Sequence, residues 1–399
     1  MILAGARWAV NESSTRRIDA EIAGGTIRAC QDPRGRGSLD LSGLLLLPGL
    51  INAHDHLEFN LLPQLGRRIY SNATEWAADV HRPLESPVKE HLAIPLPVRL
   101  MWGGIRNLLS GVTTVSHHNP WQPSVFDSRF PVRVVKDFAW AHSLAFSPDL
   151  RERFLNTPSG WPFIVHAAEG TDGEAGSDIA RLEELGVLAP HTVLVHAIAA
   201  GWKDWKTLRG HGTSLVWCPR SNLSTYGRTL SADALHSGLR IALGTDSAIT
   251  SHGDLIDEIR TAIEACDMSA ESVYRMVTSD AAAVLRLHRG EGFLNEGGVA
   301  DIVAMADHGQ TPAEALLNLK PEFVMVGGEF RLLSEDLVRG SLARASMGSF
   351  AEGFQPIEVA SRGRCLIDAD VDYLYGEAAR VVGPKLRLSG RCVSVGAVA

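Results

Sequence analysis

Gly43-Leu44-Leu45-Leu46-Leu47-Pro48-Gly49-Leu50-Ile51-Asn52-Ala53 is a continuous apolar run, and it ends in the polar triplet His54-Asp55-His56. A strand buried on both faces reads this way, because a parallel sheet covered by helices leaves no face for alternating polar residues. His54 and His56 stand two residues apart. Strand side chains alternate with period 2, so both imidazoles leave the strand on one face and can reach a single ion.

The same texture recurs downstream. Apolar runs at Gly111 to Ser116, Pro131 to Val135, Phe163 to Val165, Val193 to Val195, Ser214 to Trp217 and Arg240 to Leu243 alternate with helix-patterned stretches at 95–110, 177–186, 254–266 and 270–286. This alternation predicts an α/β fold with a parallel sheet and crossover helices. A polar or reactive residue follows almost every run: His117, His166, His196, Cys218, Asp246. In a (β/α)8 barrel the chemistry stands where strands end, so a TIM-like barrel is expected over residues 47–296. Only about 45 residues separate His118 from Phe163, too few for two complete strand-helix pairs. The segment Pro131 to Ser143 is therefore expected to merge the third and fourth strands and distort the barrel there.

With 399 residues the chain exceeds the roughly 250–300 at which single cores stop growing, so a second unit is expected. Residues 1–46 and 297–399 read as short strands and turns, among them Met1 to Leu3, Trp8 to Val10, Asp19 to Ile22, Thr26 to Arg28, Ala300 to Ala304, Glu322 to Val326 and Leu386 to Val395. Both chain ends are expected to form a small β-sandwich. The net charge of -8 and the lack of dense Lys/Arg runs argue against nucleic acid and anionic membranes as partners and favour a small-molecule substrate; a homo-oligomer is left open. Five scattered cysteines without CxxC spacing read as reduced thiols. Neither a secretory core nor an eighteen-residue apolar window occurs, and a cytoplasmic location is expected.

Histidines at the ends of the first, fifth and sixth strands and Asp246 at the end of the eighth offer the nitrogen and oxygen donors that a divalent catalytic metal needs, with a position left for water. A pair of histidines alone is a weak signal; this many donors at successive strand ends is a strong one. Water beside such an ion has its pKa lowered towards about 7, and Asp246, ligand and base together, can take its proton.

These residues resemble the amidohydrolase superfamily: PGLINAHDH at the first barrel strand, HAAE at the fifth, LVHA at the sixth and LGTDS at the eighth, with CPRSN, SDAAAVLRL and GGVADIVA between and after. HAAE, with Glu169 three residues after His166, looks like the branch of cytosine and guanine deaminases, S-adenosylhomocysteine deaminases and triazine chlorohydrolases. The resemblance implies one divalent metal ion, zinc or alternatively iron, on His54, His56, His166 and Asp246. It assigns catalysis to Glu169, His196 and Asp246, with Glu169 as proton shuttle and His196 holding the attacking water or polarising the substrate. The activity it implies is hydrolytic deamination of a small nitrogen heterocycle or nucleoside, metal-activated water attacking a ring carbon and releasing ammonia. Hydrolysis of a cyclic amide or imidazolone, or displacement of halide, would use the same site, and a non-catalytic barrel scaffold is the remote alternative.

Five residues are candidates for substrate binding: His142 at the end of the merged segment, His118 (one of the His117-His118 pair), Trp121 for stacking, and Arg220 and Asn222 of CPRSN for a carboxylate or ring nitrogen. Lys136 raises a rival arrangement in which a carboxylated lysine bridges two metals. Gly103-Gly104 and Gly327-Gly328 read as close-packing or turn positions.

Overall fold

The computed structural model describes residues 1–30, 37–66, 68–339 and 348–396. Eight parallel segments carry the site: β1 (Leu50–Asp55), β2 (Val112–His117), β3 (Arg133–Val134), β4 (Ala139–Ala141), β5 (Phe163–Ala167), β6 (Thr192–His196), β7 (Ser214–Trp217) and β8 (Arg240–Leu243). Strands β1 to β3 make one sheet and β4 to β8 another. A parallel bridge between Asp55 and Asp246 joins β1 to β8, but β3 and β4 belong to different sheets, so the ring is not closed by hydrogen bonds.

The opening lies where the spacing places the distortion. Four residues separate β3 from β4, and no helix lies between them or in the 118–132 connection. A crossover helix needs a dozen or more residues. The segment instead runs on as one stave that pairs first with β2, through Arg133 opposite Thr114, and then with β5, through Ala139 opposite Phe163.

The opening apolar run is two strands rather than one. Leu44–Pro48 pairs antiparallel with Ile302–Ala306, and the chain enters β1 only after Gly49. Gly49 is required there: its N–H donates to Asp301 O (2.9 Å), and a Cβ would lie 2.2 Å from Thr113 Oγ1. The end strands form a four-stranded sheet from Ile2–Ala4, Ala20–Ala23, Thr26–Ala29 and Ser38–Asp40, and a ten-stranded sheet that takes three strands from the N-terminal end, Leu44–Pro48 among them, and seven from 302–395. The chain ends do come together, and Leu44–Pro48 carries their sheet across the expected boundary at residue 46. Gly103 packs its Cα against Leu57, where a Cβ would meet the carbonyl oxygen at 2.3 Å, while Gly327 and Gly328 hold left-handed turn conformations. No helix of the described residues is long and apolar enough to cross a membrane.

Asp254 ties the C-terminal strands to the barrel. It caps helix Leu255–Cys266 and accepts from Arg362 Nε (2.7 Å) and Arg391 Nη1 (3.1 Å). Burial pushes its carboxyl up, but the two guanidinium groups outweigh this and hold it at about 2. A depressed carboxylate pKa stabilises the fold above the unfolded value and loses that contribution as pH falls through the folded one. Asp254→Asn is therefore expected to cost about 3 kcal/mol at neutral pH, because it strands two buried guanidinium groups. In urea titrations the gap from the parent protein should narrow by about 2 kcal/mol between about pH 4 and pH 2; a gap independent of pH would contradict the assignment.

Candidate metal centre

Below the strand ends, Ile51, Ala53, Ile164, Val195, Val216 and Ala242 form a buried apolar cluster. His166 lies two residues beyond Ile164 and so stands on the same face, directly above this cluster. His196 follows Val195 and would by strict alternation face away. A left-handed φ of 72° at His196 breaks the alternation, and Asp246 is left-handed as well (φ 55°). Such conformations cost of order 1–3 kcal/mol at a non-glycine residue and gather where a side chain must be re-aimed. Gly244 lets β8 close on β1, since a Cβ there would fall 2.7 Å from His54 Cβ.

Asp55, between the two histidines, points the other way. It is fully buried and accepts from Arg106 Nη1 (3.0 Å), Asn107 Nδ2 (2.8 Å) and Asn60 Nδ2 (3.0 Å). Arg106 also reaches Thr245 Oγ1 (2.9 Å), so one buried polar network locks β1 against the residue preceding Asp246. Asp55 thus fixes the backbone that carries His54 and His56.

The donor atoms converge. His54 Nε2 lies 3.2 Å from His166 Nε2 and 4.0 Å from Asp246 Oδ1, and His56 Nε2 lies 3.7 Å from the same oxygen. His166 Nδ1–H donates to His142 O (2.8 Å), which leaves Nε2 with its lone pair. His118 Nε2–H donates to Ala141 O (3.1 Å), and its Nδ1 accepts from His54 Nδ1–H (3.3 Å), baring His54 Nε2 in turn. Burial holds His54 and His166 well below the usual imidazole range and His56 at about 4, so all three are neutral at pH 7. Two bare nitrogen lone pairs 3.2 Å apart repel unless a cation lies between them. Zinc, with nitrogen ligands at about 2.0–2.1 Å in tetrahedral array, fits such spacings.

Asp246 presents one oxygen to this centre. Its Oδ2 accepts from Ser221 Oγ (2.6 Å) and Thr250 Oγ1 (3.1 Å), leaving Oδ1 to face the histidines. His196 also comes within range of His54 and His166. Its Nδ1, however, accepts from Asn222 Nδ2 (2.8 Å), so Nε2 carries the ring proton and points to Glu169 Oε1 at 3.5 Å. Asn119 Nδ2 contacts His56 Nδ1 in the same way (3.1 Å), so what sets His196 apart is its partner: its Nε2 faces Glu169, whereas His56 Nε2 faces Asp246 Oδ1. Tyr226 OH donates to the same Glu169 oxygen (2.7 Å).

Helix Pro219–Tyr226 thus anchors three site residues, Ser221 holding Asp246, Asn222 holding His196 and Tyr226 holding Glu169. Sequence reasoning missed Ser221 and Tyr226. The available signal was the i, i+4 spacing of Asn222 and Tyr226 directly after β7.

A cavity of about 610 Å³ opens over the centre, walled on this side by His56, His142, His166, Glu169, His196 and Asp246. Of the residues expected to bind substrate, only His142 faces it. His118 is buried behind His54, Asn222 is buried behind His196, and Arg220 turns to His252 O (3.2 Å) and, through its N–H, to Glu258 (2.9 Å). Trp121 packs on Phe126, ring centroids 5.0 Å apart, outside the cavity wall. These four are corrections to the sequence reading: a strand-end or loop position says nothing of which neighbour already occupies the polar atoms. Lys136 is exposed, with its Nζ over the Trp121 ring, and does not reach the metal centre.

Residues 160–331 match the model of the amidohydrolase family. That stretch, somewhat under half of the chain, is similar in sequence to the amidohydrolases. The match reaches β5 to β8 and therefore His166, Glu169, His196 and Asp246; the deaminase-named relatives cover more of the chain. It is 26% identical over 353 residues to a 5-methylthioadenosine/S-adenosylhomocysteine deaminase of Syntrophobacter fumaroxidans, covering 72% of this chain and 78% of the relative. It is 25% identical over 357 residues to a 5'-deoxyadenosine deaminase of Methanothrix thermoacetophila, covering 76% and 84%. Family and relatives together indicate a hydrolase acting on C–N bonds. In fold, the chain is similar to an adenosine deaminase from Xanthomonas campestris with bound zinc (TM-score 0.71, 18% identity, 96% of this chain and 97% of that one). It is likewise similar to a mutant atrazine chlorohydrolase from Arthrobacter aurescens complexed with zinc and atraton (TM-score 0.69, 16% identity, 88% and 99%). These likenesses place the chain in the α/β class with a TIM-barrel fold.

Proposed function

We propose that this amidohydrolase is a metal-dependent aminohydrolase that replaces the exocyclic amino group of a small nitrogen heterocycle or its nucleoside with water, releasing ammonia. The observation that carries this reading is the pairing of Glu169 with the protonated Nε2 of His196, 3.5 Å apart on the cavity wall beside the converging donors. The relatives named as deaminases support it.

His54, His56, His166 and Asp246 would hold the ion, with zinc favoured by the donor set and iron the alternative. A divalent cation supplies Lewis acidity that brings the pKa of adjacent water down towards about 7. The side chains divide the proton traffic. Asp246 Oδ1 takes a proton from the attacking water while its other oxygen stays fixed by Ser221 and Thr250. Glu169 gives a proton to the ring nitrogen next to the attacked carbon, so that the ring accepts the electron pair. His196 Nε2–H donates to the oxygen that is being added. As the carbonyl forms, Glu169 takes up the remaining hydroxyl proton and is restored, Asp246 hands the proton first taken from water to the amino group, and the carbon–nitrogen bond breaks to release ammonia.

The test is reconstitution of metal-stripped protein with zinc or iron, followed by assay of aminopurines, aminopyrimidines, aminotriazines and a chlorotriazine for ammonia and for chloride. Ammonia that depends on added metal is the expected result. Chloride alone, or a ring-opened acid without ammonia, would overturn the deaminase reading.

A further inference from the structure

Away from the metal centre, the cavity wall is built from two short helices that turn their apolar faces towards empty space. In helix Ala73–Val80 the residues lining the cavity are Ala73, Trp76, Ala77 and Val80, the i, i+3, i+4, i+7 stripe that an amphipathic helix normally buries. Its acidic residues face elsewhere: Glu75 accepts from Ser71 N–H (2.8 Å) and Arg68, and Asp79 accepts from Tyr70 OH. Helix Val88–Ala93 adds Val88 and Leu92, one turn apart, and Leu92 is left 40% exposed. An apolar stripe facing an open cavity continuous with a reactive centre has one economical occupant, the part of the substrate that does not react.

The charges on the wall narrow its chemistry. Among the described residues, Arg153, Glu169 and Asp246 are the acidic and guanidinium groups that line the cavity. Glu169 and Asp246 are engaged at the reacting end. Arg153 Nε donates to Asp149 (2.8 Å), and its guanidinium lies 5.7 Å from the Trp140 ring centroid. An ammonium group would find no unengaged carboxylate here, and a tail carboxylate would have to compete with Asp149. A zwitterionic tail would give up its hydration for one guanidinium that Asp149 already shares and for no unengaged carboxylate.

We propose that the substrate carries, away from its reacting carbon, an apolar alkyl or aryl substituent that seats between helices Ala73–Val80 and Val88–Ala93. This deepens the aminohydrolase reading and rests on it. Of the two compounds in the relatives' names, it favours a tail like the apolar methylthio group of 5-methylthioadenosine over the amino-acid tail of S-adenosylhomocysteine.

Matched probes separate the two ideas. Adenines bearing a 9-benzyl, 9-butyl or 9-(3-amino-3-carboxypropyl) group, and aminotriazines with the same substituents, would be given to the zinc-loaded protein, with binding followed by calorimetry and turnover by ammonia release. In at least one ring series the benzyl compound should bind roughly 100-fold more tightly than the amino-acid compound, since each methylene or so of apolar fit is worth about 10-fold or more. Leu92→Asp should shrink that ratio below about 10-fold, and Leu92→Met should restore it. Equal or reversed binding in both series would overturn the apolar subsite. Preferential, Leu92-dependent binding without ammonia from any probe would support the subsite and overturn the aminohydrolase reading alone.

Discussion

Glu169→Gln is expected to lower kcat by about 10²–10⁴-fold, the range a positioned general acid–base group supplies, while bound metal and thermal stability stay near those of the parent. Glutamine keeps the size of glutamate and still accepts a hydrogen bond from Tyr226 OH, so the wall around residue 169 is preserved. What it loses is the ability to carry a proton from one step to the next. Glu169 is no member of the donor set formed by His54, His56, His166 and Asp246, so metal analysis should find the same stoichiometry as in the parent. Ammonia release at full rate in Glu169→Gln would end the proton-shuttle assignment; lost activity together with lost metal would make residue 169 a structural support of the centre instead.

The barrel strands were legible because each is a buried apolar run closed by a polar residue, and six of the eight could be placed from that pattern alone, with the short third and fourth inferred as one merged segment from the length of chain available. That His54, His56, His166 and Asp246 converge was legible for the same reason, since period 2 places His54 with His56 and strand ends bring His166 and Asp246 to one rim. Other features escaped because they depend on what lies across from a residue. His118 and Asn222 were read as substrate contacts, yet their polar atoms are taken by His54 and His196 on neighbouring staves. Arg220 and Trp121 likewise found partners outside the cavity. The break at Gly49 was hidden inside an apolar run whose two halves serve different sheets. Helices Ala73–Val80 and Val88–Ala93, which shape the cavity, are short and separated by Pro83 and Pro87, so neither carries a long enough period to announce itself.

Asp246→Asn should have the larger effect, because the proposed mechanism gives one residue two roles and the substitution damages both. Asp246 Oδ2 receives two donors, Ser221 Oγ and Thr250 Oγ1, and Oδ1 faces His54 and His56. An asparagine must turn its NH2 group either towards the two hydroxyls, which now have to reverse as acceptors, or towards the metal centre, where an N–H is no ligand. In either orientation the negative charge that favours a divalent cation is gone, and so is the base for the water proton. The expected outcome is metal that dissociates at least about 10-fold more readily under a mild chelator, and a kcat reduced by about 10⁴-fold. Titrating excess zinc into the variant separates the roles. If Asp246 were a ligand alone, saturating metal would restore the rate; if it is ligand and base, occupancy recovers and ammonia release does not.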